Sequence, residues 1–335
     1  MAQLKKTYND VRYWIADYVE ADTNYVRSHN KYAIYATSGI SLNKIGLDLY
    51  KGAGVLFEPN TKLQFGGGIV LSGMKRFNIL NLFDLNFMNG TSIELTFPIA
   101  TNSADTHGET TGMDFQMNGC ILQGTFIYNL SYVNLKGFYL RDPNAFNTAP
   151  KVLGSDIGLM IWGGDLTYVL NNKKMSHSSV FNLSNKQIKS TGSVLFNIGY
   201  RQTKIEADST LKYQINTHET PSTMSVKSSD CRSPFIGIGY GYTSTIKRDF
   251  YFHISTIIRL HYQQGTYIYT LDKQEEQRDD RPFVGGLNYK IGMGYNTSEW
   301  FAGLSVVSDI SYNKIDVMRL DYEVGKLRLS IGKRF

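Results

Sequence analysis

The stretch FVGGLNYKIGMGY, Phe283 to Tyr295, places Phe283, Leu287, Tyr289, Ile291, Met293 and Tyr295 on one parity and Val284, Gly286, Asn288, Lys290, Gly292 and Gly294 on the other. Successive side chains of an extended chain point to opposite faces, so the segment is a strand with one bulky apolar face and one small or polar face. Phe235 to Ile246 repeats the division, with Ile236, Ile238, Tyr240, Tyr242 and Ile246 against Gly237, Gly239, Gly241 and Thr243. In Phe250 to Gln263 the bulky set is Phe250, Phe252, Ile254, Ile258, Leu260 and Tyr262, and the other set holds Tyr251, His253, Ser255, Arg259, His261 and Gln263. Leu122 to Tyr132, Leu63 to Leu71 and Phe196 to Tyr200 follow the same rule.

Alternation alone fits a sandwich as well as a barrel. The strands here run roughly 10 to 16 residues, enough to cross a bilayer at a tilt, whereas sandwich strands are shorter. The polar parity carries Gly, Ser, Thr and Asn rather than dense charge, as expected inside a closed tube, and Tyr and Phe gather near segment ends as an interfacial girdle requires. Connections divide into tight ones around Gly73, Lys173, Arg248 and Thr297, and long polar ones at Pro98–Gly112, Arg141–Ser155, Ala207–Arg232 and Leu271–Arg281. That asymmetry is typical of transmembrane barrels, and counting segments gives about 12 strands, in a range of about 10 to 14. Strict alternation of short and long connections breaks between Lys173 and Arg248 if Met175 to Ser184 is a full crossing.

Composition agrees: 23 Tyr and 31 Gly stand against 7 Pro in 335 residues, a bias toward β structure. No uninterrupted apolar run is long enough for a membrane helix, which leaves strands as the way across. The net charge of +6 is dispersed, so nucleic acid is not an expected partner. Cys120 and Cys231 have no metal-ligand spacing; a disulfide between them stays open, and no metal, cofactor or catalytic residue is expected.

The chain closes on GKLRLSIGKRF. Leu327, Leu329, Ile331 and Phe335 share one face, interrupted only by Lys333. A barrel ends this way when its last strand pairs with its first and the terminal aromatic is read by insertion machinery, so Phe335 is the candidate insertion signal. At the other end Tyr8, Val11, Trp14, Ile15, Tyr18 and Val19 recur at helical spacing, predicting a short amphipathic helix within residues 1–30 ahead of a barrel over 31–335. The first ten residues lack the apolar core of a signal peptide. A barrel bound for an outer membrane is therefore expected to have had its signal removed.

Three stretches, LFEPNTKLQFGGG (Leu56 to Gly68), LKGFYLRDP (Leu135 to Pro143) and YVLNNKKMSHSSVFNLSNKQIKSTGS (Tyr168 to Ser193), followed by KIEADSTL, resemble an uncharacterised domain-of-unknown-function family of outer-membrane barrels found in the Bacteroidota. The resemblance runs from about Asp22 to the C-terminus. It implies a compartment and a fold, and no chemistry.

The expected function is a channel or transporter for a small or apolar solute, with His253, Arg259, His261, Lys290 and Arg328 as candidate lumen-lining residues. Arg201, Arg334, Glu94 and Asp309 are placed in the same interior, which allows the alternative that lumen charges pair and plug the tube. On that alternative the protein is a structural or assembly barrel that binds a partner through its N-terminal helix or long loops. A lipid-acting enzyme comes third: HSSVF, His177 to Phe181, is the one His/Ser cluster that suggests it. Adjacent strand residues face opposite ways, which argues against a dyad there. Outer-membrane lipid and the insertion machinery are the expected partners.

Overall fold

The structure is a computed structural model, described here over residues 22–29, 32–49, 53–59, 61–71, 88–99, 110–121, 124–141, 157–181, 184–216, 221–247, 249–271, 274–315 and 318–335. The N-terminal helix expected over residues 4–20 and the turn at Gly73 lie outside these residues. A closed antiparallel barrel of 12 strands forms the wall. Its first four strands are short: β1 (Ala33–Ser41), β2 (Leu63–Leu71), β3 (Met88–Pro98) and β4 (Thr111–Ile121). Next come β5 (Phe126–Arg141), β6 (Ile157–Val169), β7 (Thr191–Asn216) and β8 (Pro221–Ile246). The last four are β9 (Phe250–Tyr262), β10 (Phe283–Asn296), β11 (Trp300–Ile315) and β12 (Met318–Arg334).

Closure is made by β12 against β1, in register from Lys326↔Ser41 to Arg334↔Ala33. This pairing accounts for a chain that stays two-faced to its final residue, because the terminal strand is an interior member of a continuous sheet. Phe335 itself is 64% exposed on the outside. Lys333, which breaks the apolar series, shares that outward face, and its amine lies 5.3 Å from the Trp300 ring and 5.6 Å from the Phe335 ring. A lysine stem laid along aromatics at a membrane boundary keeps its charge near water, so the interruption is compatible with the belt.

Parity decides burial all round the tube. In β9 the outward Ile258 is 67% exposed, while Arg259 beside it is 2% exposed. Ile236, Ile238 and Tyr240 of β8, Leu329 and Ile331 of β12, and Ile34 of β1 likewise face out. An outward apolar belt around an inward polar face is the arrangement that hydrocarbon imposes, since a closed sheet leaves no backbone group unpaired in lipid. No helix among the described residues is long and apolar enough to cross a membrane.

The two ends of the barrel differ. One end holds the C-terminus and the tight turns at Lys247–Phe250 and Asn296–Trp300. At the other end the sheet grows beyond the wall, and this corrects two loop assignments. Much of Ala207–Arg232, expected as a loop because both its faces are polar, continues β7 and β8 as one long hairpin. Leu271–Arg281 belongs to a second hairpin, Gln264–Leu271 with Gln274–Asp280, which pairs with the upper part of β8. Outside a membrane neither face of a strand need be apolar, so the alternation vanishes while the hydrogen-bond ladder continues. A third hairpin, Lys44–Leu49 with Ala53–Pro59, joins β12 to β5 above the ends of the four short strands.

Candidate functional site in a plugged lumen

Residues 170–181 and 184–190, between β6 and β7, turn back into the barrel instead of crossing the membrane. They hold the one helix among the described residues, α1 (Ser178–Phe181), and the short strand Asn185–Gln187, which pairs with Val26–Ser28. This explains the broken alternation of connections: the described part of Met175–Ser184 is a plug on the terminus side of the tube and not a crossing strand.

The wall is shaped to receive it. Met175 is fully buried in a cluster with Cys120, Ile127, Val169, Leu195 and Ile257, and Val180 joins Ala33, Tyr35, Val70, Tyr251 and Phe301. Glycines on the inward parity make the room. A Cβ at Gly292 would lie 2.5 Å from Val180 Cγ1, and one at Gly241 would lie 2.9 Å from Met175 Cε. The backbone of the plug is tied as well. Gln187 accepts from the Ser176 N–H (2.9 Å) and donates to the carbonyls of Lys174 (2.7 Å) and Lys189 (2.8 Å). Asn296 of β10 donates to the Asn185 carbonyl (3.1 Å), and the Arg328 guanidinium of β12 donates to the Phe181 carbonyl (3.3 Å).

All five candidate lumen residues face inward, in different surroundings. Arg259 donates from Nε to Asn197 Oδ1 (2.9 Å), pairs with Asp309, lies 3.5 Å from Asp165 and stacks 4.4 Å from the Phe235 ring centre. Arg201 pairs with the same Asp309 at 2.7 Å. Arg328 pairs with Glu94 at 2.6 Å, and Lys326 bridges Glu94 (3.4 Å) and Asp114 (2.8 Å). His253 shares a hydrogen bond with Thr243 (2.8 Å), and His261 packs on Phe235 with ring centres 4.8 Å apart. Both histidines are fully buried in the packing of the wall. Lys290 and Arg328 border a polar cavity of about 90 Å³, whereas His253, Arg259 and His261 do not. Phe181 forms part of the cavity boundary. Of the three Lys and Arg candidates, Lys290 is the one with no ion pair among the described residues; its amine sits 5.5 Å from the Phe181 ring centre. Arg334, also inward, is held by Asn296 Oδ1 at 2.8 Å and by the Thr297 carbonyl at 2.5 Å.

Sequence reasoning missed the plug contacts of Met175, Val180 and Gln187, and the role of Asp165. The broken connection rule was the available signal for the first three. Cys120 and Cys231 are both buried, and no disulfide joins them. His177 of the HSSVF cluster is buried inside the tube, against His253 (4.9 Å between ring centres) and Phe181 (5.4 Å). It has no access to lipid.

Burial first, then the neighbouring His253 and Lys290, hold the His177 pKa well below the ordinary histidine value. The docked plug therefore keeps His177 neutral, while an undocked plug takes up a proton below about pH 6.5. Docking is at full strength above that value and weakens as pH falls from it toward the depressed pKa. Hydrogen exchange of the Met175–Phe181 amides, corrected for intrinsic rates, should show less protection at about pH 5 than at about pH 7.5. Equal protection at both would show that His177 does not limit docking.

A family model described as a domain of unknown function, DUF4421, matches residues 20–335. The chain belongs to the DUF4421 family. No curated protein matches this DUF4421 chain in sequence. Solved structures similar to it include the outer-membrane protease OmpT from Escherichia coli, at 8% identity and a TM-score of 0.39, covering 92% of this chain and 98% of that one. The toluene transporter TodX from P. putida is similar at 9% identity and a TM-score of 0.31, covering 91% of this chain and 90% of that one. One is a protease and the other a transporter, and neither activity carries over to the DUF4421 barrel.

Proposed function

We propose that the protein is a gated, non-enzymatic outer-membrane barrel that passes a small polar solute when its plug is displaced. The observation that carries this reading is the polar lumen cavity, bounded by Phe181 of an inserted segment rather than filled by wall side chains alone. The lining, with Asn288, Lys290, Asn129 and Arg328, suits a polar solute and not an apolar one. The compartment rests on the closed wall with its outward apolar belt, and the bacterial group, Bacteroidota, on the sequence resemblance. Vesicles containing the barrel should swell in a small polar solute once the plug is loosened, and stay near the protein-free rate while it is seated. Swelling that stays at the protein-free rate even with the plug loosened would favour the second reading, a structural or assembly barrel. The ion pairs of Arg201, Arg259, Lys326 and Arg328, which tie together strands that are not neighbours in the wall, favour that alternative.

Phe335 is proposed as the insertion signal, because it is the outward aromatic that ends the closing strand. Deleting it should lower the amount of folded barrel in the membrane while synthesis stays constant, as read from heat-modifiable migration on gels. Unchanged insertion would reduce the terminal aromatic to an ordinary member of the belt.

A further inference from the structure

We infer that the lumen cavity is a binding site for a small hydroxycarboxylate, with Lys290 holding the carboxylate and Gln116 and Asn118 holding hydroxyls. Three observations converge. The cavity lining and the ion pairs behind it bring Arg201, Arg259, Lys290, Lys326 and Arg328 against Glu94, Asp114, Asp165 and Asp309, so cations exceed carboxylates by one in this group; Arg259, Glu94 and Asp165 belong to the layer behind the lining. Lys290 is the one cation of this group with no carboxylate within ion-pair distance among the described residues: Asp165 and Asp309 act on its amine from farther off, and the Phe181 ring centre lies 5.5 Å away. A half-buried ammonium whose three donors have no hydrogen-bond or ion-pair partner among the described residues is placed to hold a carboxylate at contact distance, closer than either of those side chains.

The second observation is the opposite wall. Gln116 and Asn118 are two residues apart on β4, both border the cavity, and neither side chain has a hydrogen-bond partner among the described residues. The barrel order puts β4 and β10 on opposite sides of the tube, so these free amides face the lumen across from Lys290. Each amide offers donors and an acceptor together, the combination that an alcohol hydroxyl matches. An apolar carboxylate would leave them unused, and a polyol without charge would leave Lys290 uncompensated.

Size is the third. A cavity of about 90 Å³ holds roughly six to nine water positions, room for a carboxylate of a few carbons. The inference rests on the cavity alone, not on transport. A barrel that binds such a ligand yet passes no solute keeps this site and loses the channel reading.

The test is isothermal titration of the full-length folded barrel in detergent with glycerate, propionate and glycerol as separate probes. Glycerate should bind saturably, and propionate, which lacks the hydroxyls, and glycerol, which lacks the charge, should each bind about tenfold or more weakly. Lys290→Gln should bring glycerate down to the level of glycerol. Gln116→Met with Asn118→Leu should bring it down to the level of propionate. Heat-modifiable migration certifies that each variant is folded; these residues carry no ion pair whose loss would unfold the wall. Absence of saturable glycerate binding to the folded native barrel would overturn the inference, as would binding that Lys290→Gln leaves unchanged. Propionate binding as tightly as glycerate would overturn the assignment of Gln116 and Asn118.

Discussion

Barrels carrying Met175→Ser, Val180→Ser and Phe181→Ser together should open in planar bilayers where native barrels stay silent. Met175 and Val180 are buried in two separate apolar clusters of the wall, and Phe181 packs on the second. Burying one such side chain contributes about 1.5–3 kcal/mol, so the three replacements remove on the order of 5 kcal/mol of docking free energy. About 5.5 kcal/mol moves a two-state equilibrium from about 1:99 to about 99:1. The plug would thus pass from almost always seated to frequently displaced. The wall itself should be spared, because its strands are joined by backbone ladders that the plug does not complete. Recordings should show discrete openings in the triple variant, and folded variant barrels as silent as the native protein would remove the gate from the proposal.

Asp309→Leu should be the most damaging single substitution in the lumen. Asp309 on β11 receives Arg201 from β7 and Arg259 from β9, and accepts from the Asn288 amide at 3.1 Å. Removing it strands two buried guanidinium groups. Breaking a buried pair by deleting one partner costs about 3–5 kcal/mol, and here Asp165 at 3.5 Å from Arg259 is the remaining compensation for one of the two cations. Asp309→Asn keeps the shape and one acceptor, and should cost less. Urea unfolding in lipid vesicles, followed by gel migration, gives both numbers. A midpoint shift no larger for Asp309→Leu than for Lys290→Gln would mean that the paired charges contribute little to holding the wall together.

These two predictions draw on different layers of information. Which way a side chain faces was legible in the sequence wherever one face meets lipid: Ile258 against Arg259, Ile291 against Lys290, Leu329 against Arg328. What an inward side chain touches was not. Arg259 meets Asp309 across one intervening strand, and Arg328 meets Glu94 across two. Such contacts depend on the stagger between strands far apart in sequence, which parity leaves undetermined. The plug was hidden for another reason. Met175, Val180 and Phe181 are apolar residues inside a polar tube, so their pattern reads as an incomplete strand. The extensions of β7 and β8 were hidden because water lies on both faces there, removing the contrast that periodicity detects.

The seam between β12 and β1 sets the order in which this molecule can assemble. Its paired residues, from Lys326↔Ser41 to Arg334↔Ala33, sit at opposite ends of the chain, so closure is among the longest-range events the sequence requires. The hairpin at Lys44–Pro59 deepens this dependence, because its first strand pairs with Met318–Glu323, again in the last strand. Contacts of such high contact order form slowly and leave strand edges exposed meanwhile. Until the last strand is in place, β1 has its partner β2 on one edge and the hairpin after it has its own internal ladder, but the other edge of each stays open. Those open edges are templates for pairing with another chain, and the seam is what removes them.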